Sequence, residues 1–147
     1  MDREITPYIR RAKYYETDQM AVIHHSNYIR WFEEARIDFL EKIGLGFDKI
    51  EAAGVYSPVL SVSCEYKSSV RFNEEVVIIP KIEFFDGVRM TITYRVLDAV
   101  SRQVRATGQT DHCFITKDFK PVSVKKGYKD MYDILMEWTG FNIEQIR

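Results

Sequence analysis

The chain has 147 residues, a length that suits one domain and leaves none to spare for a second, so 1–147 is read as a single unit. With 46% hydrophobic and 29% charged residues it has enough apolar material to close a core, which excludes a disordered chain. Its 21 basic residues nearly cancel its 22 acidic ones, for a net charge of −1, so the basic footprint of a general nucleic-acid binder is missing.

The first residues, MDREITPYIRR, are charged and lack the apolar core of a secretory signal. No uncharged run approaches the roughly 18 apolar residues of a membrane span. The expectation is a cytoplasmic protein without a membrane segment. After Pro7 a short β-prone run (Tyr8, Ile9, Ala12, Tyr14, Tyr15) predicts a first strand ending near Tyr15, and Glu16 to Gln19 then read as a loop. From Asn27 to Ile43 the apolar residues Tyr28, Trp31, Phe32, Ala35, Phe39 and Ile43 recur at spacings of three and four, the signature of one helical face. Ser26 or Asn27 is placed to cap this helix, and Gly44 and Gly46 to stop it. The large aromatics on this face predict deep packing against a sheet.

Beyond Gly54 the period changes to two. Leu60, Val62, Cys64 and Tyr66 alternate with polar residues, predicting a strand with one buried face. Val76 to Phe85 and the alternation Val88, Met90, Ile92, Tyr94, Val96 predict a hairpin about Asp86-Gly87, with Pro80 implying an edge position or a bulge. A last strand is expected from Gln103 to Thr116. Tyr128, Met131, Tyr132, Leu135 and Trp138 then predict a short C-terminal helix. One long early helix followed by a run of strands indicates an α+β fold with an antiparallel sheet of five strands.

Groups capable of chemistry concentrate just before the long helix. A helix N-terminus presents unpaired N–H groups and partial positive charge, which suit a carbonyl oxygen that gains charge during attack. Asp18, folded back beside that terminus, is placed to activate water or to attack an acyl carbon itself, although the same residue also reads as a capping or solvated aspartate. His24 and His25 do not easily face one site together. With His112 the only other histidine, the ligand count argues against a metal. Cys64 and Cys113 lie in strand patterns and read as buried, reduced thiols. Lys67, Arg71, Lys117, Lys120, Lys125 and Lys126 read as solvated surface first and as phosphate ligands second.

The run Y-Y-E-T-D-Q-M-A-V-I-H-H-S-N-Y-I-R-W-F-E-E-A-R at 14–36 resembles the hot-dog-fold acyl-CoA thioesterases of the 4-hydroxybenzoyl-CoA thioesterase type. The resemblance is specific in this segment and general elsewhere. It implies a hot-dog fold, with the sheet wrapped around the long central helix, and hydrolysis of an acyl-CoA or acyl-carrier-protein thioester without a cofactor. It also implies a homodimer or homotetramer. By the same resemblance Asp18 is the catalytic base or nucleophile, His25 sits where a backbone N–H polarises the thioester carbonyl, and Tyr14 matches a tyrosine also implicated. The family usually has glycine where this chain has Ala21, so alanine there implies either a shifted loop or a negative φ. Two other readings are a non-catalytic acyl-CoA or carrier-protein binding module and an enoyl-thioester hydratase.

Overall fold

Tyr28, Trp31, Phe32, Ala35, Phe39 and Leu40 form the buried face of α1 (Ser26–Lys42). Each large side chain removed from water contributes about 1.5–3 kcal/mol, so the face that the spacing marks is what seats the helix. Ile43 ends it, and Gly44 follows at φ +98°, a left-handed conformation open to glycine at little cost. The computed structural model describes residues 5–143.

A five-stranded antiparallel sheet curls around this helix in the order β1-β4-β5-β6-β3. Its strands are β1 (Tyr8–Arg11), β3 (Val59–Tyr66), β4 (Glu75–Phe85), β5 (Arg89–Asp98) and β6 (Val104–Cys113). A two-stranded patch joins β2 (Val55–Tyr56) to β7 (Ile115–Thr116). Two more helices complete the fold: α2 (Phe47–Ala53) and the C-terminal α3 (Lys129–Trp138), which buries Met131 and Leu135. No helix among the described residues is long and apolar enough to cross a membrane.

Several local expectations are corrected. The first strand ends at Arg11, and Tyr14–Glu16 forms a 3-10 turn, because the Glu16 side chain accepts from the Lys13 N–H and folds the chain back. The β4–β5 turn is centred one residue late, on Gly87 and Val88: the Asp86 N–H reaches the Arg89 carbonyl at 3.2 Å, and the Asp86 carboxylate accepts from the Val88 and Arg89 N–H groups. Val88 is therefore an exposed turn residue. Strand β3 has no well-buried face, since it is the last strand of the sheet while α1 lies chiefly over β4 and β1. Pro80 sits past the last β1 pairing, Tyr8 with Ile78, where β4 is an edge on that side. Cys64 and Cys113 are free, half-buried thiols.

Candidate active site

Between β1 and α1 the chain turns around one buried charge. The Glu16 carboxylate, 3% exposed, accepts from both terminal nitrogens of Arg10 (2.9 Å each), the Lys13 N–H (2.8 Å) and the Trp31 indole N–H (3.0 Å). Burial alone would raise its pKa. The Lys13 amide, the Trp31 indole and the Arg10 guanidinium outweigh that and hold it below the ordinary value. Glu16 was not among the sequence candidates, because its partners in space lie 6 and 15 residues away and leave no local signal.

This anchor carries the Asp18 turn. The Asp18 N–H donates to the Val22 carbonyl (2.8 Å) and the Ala21 N–H to the Asp18 carbonyl (3.0 Å). Oδ1 of Asp18 accepts from the Met20 N–H at 2.8 Å and the Val22 N–H at 3.4 Å. Oδ2 has no protein partner among the described residues. Ala21 lies at φ +62°, in the left-handed region, so of the two alternatives that alanine implied, a shifted loop or a negative φ, the negative φ does not occur. The closed turn, together with the bridge from Val22 to Arg71, holds it there.

His25 is the cap residue of α1, at φ −55° and ψ −30°. Neither Ser26 nor Asn27 caps the helix as expected. The Ser26 N–H is taken by Nδ1 of His24 at 3.2 Å, and the Asn27 amide reaches backwards to donate to the Glu16 and His24 carbonyls. The His25 N–H makes no hydrogen bond among the described residues. Its carbonyl accepts from the Tyr66 hydroxyl at 3.0 Å. The two imidazoles stack at 4.1 Å yet border different spaces, His25 the cleft that holds Asp18 and His24 a second cleft beside Arg30.

Asp18 and His25 thus share one open cleft of about 280 Å³, walled by Ile23 and Tyr28 and rimmed by Tyr66 and Lys67. Burial pushes the Tyr28 phenol up to about 12, against an opposing pull from the Val70 backbone, so the ring stands there as a neutral wall. Tyr14 is outside this cleft, 74% exposed, with its ring edge-on to Phe72 at 5.6 Å. Trp31, Phe32 and Met90 are core residues and do not line it. Two residues of this cleft, Asp18 and His25, each carry a polar group without a protein partner among the described residues, a carboxylate oxygen and a helix-terminal N–H. That pairing suits acyl transfer to water, one group removing a proton and the other receiving an oxyanion.

A long helix wrapped by a single antiparallel sheet, with this cleft at the helix start, defines a hot-dog fold of the thioesterase type. Residues 13–130 match the thioesterase-like superfamily, and the chain belongs to that family. The candidate acyl-CoA thioesterase YneP of Bacillus subtilis (strain 168) is 30% identical over 123 residues, covering 82% of this chain and 88% of YneP. The DHNA-CoA thioesterase of Staphylococcus aureus superimposes with a TM-score of 0.84 at 31% identity, over 90% of this chain and 89% of its own. A hypothetical protein of Thermus thermophilus gives 0.79 at 32%, over 88% and 98%.

Proposed function

We propose that this protein hydrolyses an acyl-CoA thioester to a carboxylic acid and free CoA, with Asp18 and the His25 N–H as its chemical pair. The observation that carries the reading is that Asp18, whose Oδ2 has no protein partner among the described residues, and His25, whose N–H is unbonded there, line the same cleft. As general base, Asp18 takes a proton from water while the water oxygen bonds to the thioester carbon. The carbonyl electrons move onto oxygen, where the His25 N–H and the positive end of α1 receive them. As these electrons return, the C–S bond breaks and the departing sulfur takes the proton, giving CoA thiol and acid. As nucleophile, Asp18 instead attacks the thioester carbon and the C–S bond breaks, giving a mixed anhydride and CoA thiolate; water then opens the anhydride, freeing Asp18 and the acid, and its proton ends on the thiolate. Nothing in this sequence of steps calls for a cofactor.

Tyr14 enters as a positioning residue. Its exposed ring meets the substrate or a neighbouring protomer rather than the floor of the cleft. The functional unit in this reading is a cytoplasmic homodimer, or a homotetramer of two such pairs, in which a second copy closes the open side of the cleft beside β3. The names of the B. subtilis and S. aureus relatives support CoA as the carrier.

The experiment is thiol release over a panel of acyl-CoAs, with acyl-carrier-protein thioesters and crotonyl-CoA hydration in parallel. Asp18→Asn is expected to lower kcat by about 100-fold or more with the melting temperature retained. Undiminished hydrolysis in that variant removes Asp18 from the mechanism. Hydration without thiol release replaces the reading with a hydratase, and tight acyl-CoA binding without turnover replaces it with a binding module.

A further inference from the structure

We infer that Asn27 is the positioning residue that couples the carboxylate segment to the oxyanion peptide, an inference that rests on the hydrolase reading above. The His25 N–H belongs to the same planar unit as the His24 carbonyl, and in a trans peptide the two point in opposite directions. Whatever holds that carbonyl therefore aims that N–H. Here the His24 carbonyl accepts twice from one residue, from the Asn27 backbone N–H at 3.0 Å and from its side-chain Nδ2 at 3.3 Å. The same Nδ2 donates to the Glu16 carbonyl at 2.9 Å, which also accepts the His24 N–H at 2.8 Å. Both neighbours of the amide are carbonyl oxygens, so its nitrogen must face them, and the orientation of the side chain follows from the contacts.

Three consequences follow for the N–H on the far side. The peptide plane is fixed, so the N–H, which has no protein partner among the described residues, is held in one direction, and His25 lines the cleft. Two donors on the carbonyl draw electron density through the amide and make its N–H a stronger donor, as in any polarised hydrogen-bond chain. Finally, Glu16 lies two residues before Asp18, so one side chain sets how far the carboxylate stands from the oxyanion donor. Asn27 itself borders the second cleft, with His24 and Arg30, and is not among the residues that line the Asp18 cleft, so it works through the peptide and does not touch the substrate.

The test compares wild type with Asn27→Ala and, should that variant fold poorly, with Asn27→Ser, whose shorter hydroxyl loses the reach to Glu16. Thiol-release kinetics well below the melting temperature are expected to show kcat lowered by about 10- to 100-fold with KM within about twofold, the pattern of an interaction made only in the transition state. A ketone analogue of acyl-CoA, with methylene in place of sulfur, reads the polarisation directly. Its carbonyl stretch is expected to shift to lower frequency on wild type and to shift less on the variant. In the ligand-free proteins the His25 amide proton resonance is expected to move upfield on substitution. A fall in melting temperature with kcat per folded molecule unchanged overturns the inference, and so does an unmoved His25 resonance. If wild type releases no thiol from any substrate, the hydrolase reading fails on its own, and the His25 resonance still decides whether Asn27 polarises that peptide.

Discussion

Ala21 occupies a backbone conformation that disfavours any residue with a Cβ, at the one turn that presents the Asp18 carboxylate. A left-handed alanine costs roughly 1–2 kcal/mol relative to the right-handed form, and glycine avoids most of this while losing some entropy from its freer unfolded chain. Ala21→Gly is therefore expected to stabilise the protein by about 0.5–1 kcal/mol, a rise of about 1–4 °C in melting temperature for a chain of this size, measured by thermal unfolding. A lower melting temperature would mean that the alanine methyl makes a contact worth more than the strain. At this scale the sequence was readable where residues are contiguous: Asp18 and His25 lie seven residues apart in one motif and line one cleft. It was silent on Glu16, whose partners arrive from β1 and α1. His112, weighed from sequence only as a third histidine for a metal, is fully buried and satisfied. Its Nδ1–H donates to the Ser57 carbonyl at 3.0 Å, which leaves Nε2 to accept from the Thr110 hydroxyl at 2.8 Å. That hydroxyl accepts in turn from Tyr94, which is held by Arg36. Burial pushes the imidazole pKa down and favours this neutral form, against the opposing pull of the Ser57 carbonyl.

Elements show the same division between what is local and what is not. The α1 stripe is periodic within one segment and predicts both the helix and its buried face. Helix α2 buries none of its residues, so it has no stripe to read. What decides how closely α1 sits on the sheet is a glycine that no periodicity marks. A Cβ on Gly108 of β6 would overlap the Phe32 ring and stand 2.9 Å from the Ser63 carbonyl oxygen. Phe32 has little room to yield, because it stacks on Tyr94 at 4.5 Å with the planes 12° apart. Gly108→Ala is accordingly expected to cost about 1–3 kcal/mol through overpacking, seen as a lower denaturation midpoint in urea with an unchanged slope. A midpoint equal to wild type would show that the helix slides on the sheet without penalty.

At the scale of the molecule, the β3 end of the sheet is left without a further strand among the described residues. Strand β3 is eight residues long, contains no proline and, among the described residues, pairs only with β6 and leaves its other edge open, the arrangement that soluble proteins usually cover or blunt. The alternation read from sequence as a buried face is real as a pattern, yet Leu60, Val62 and Tyr66 are 50%, 40% and 47% exposed. Sequence periodicity tells which face is apolar and not which chain covers it. A second copy of β3, antiparallel to the first, would continue the ladder and bury that apolar row twice, beside the cleft that Tyr66 rims. The expected mass in sedimentation equilibrium is then about twice 17.4 kDa, or four times if pairs associate. Val62→Glu puts a charge from each copy into the exposed apolar row of β3 and is expected to shift the protein toward monomer. If the partner completes the cleft, thiol release falls with dissociation and recovers at higher protein concentration. A wild type that stays monomeric at every concentration, with full activity, would show instead that the open edge of β3 is tolerated and that one chain holds the whole site.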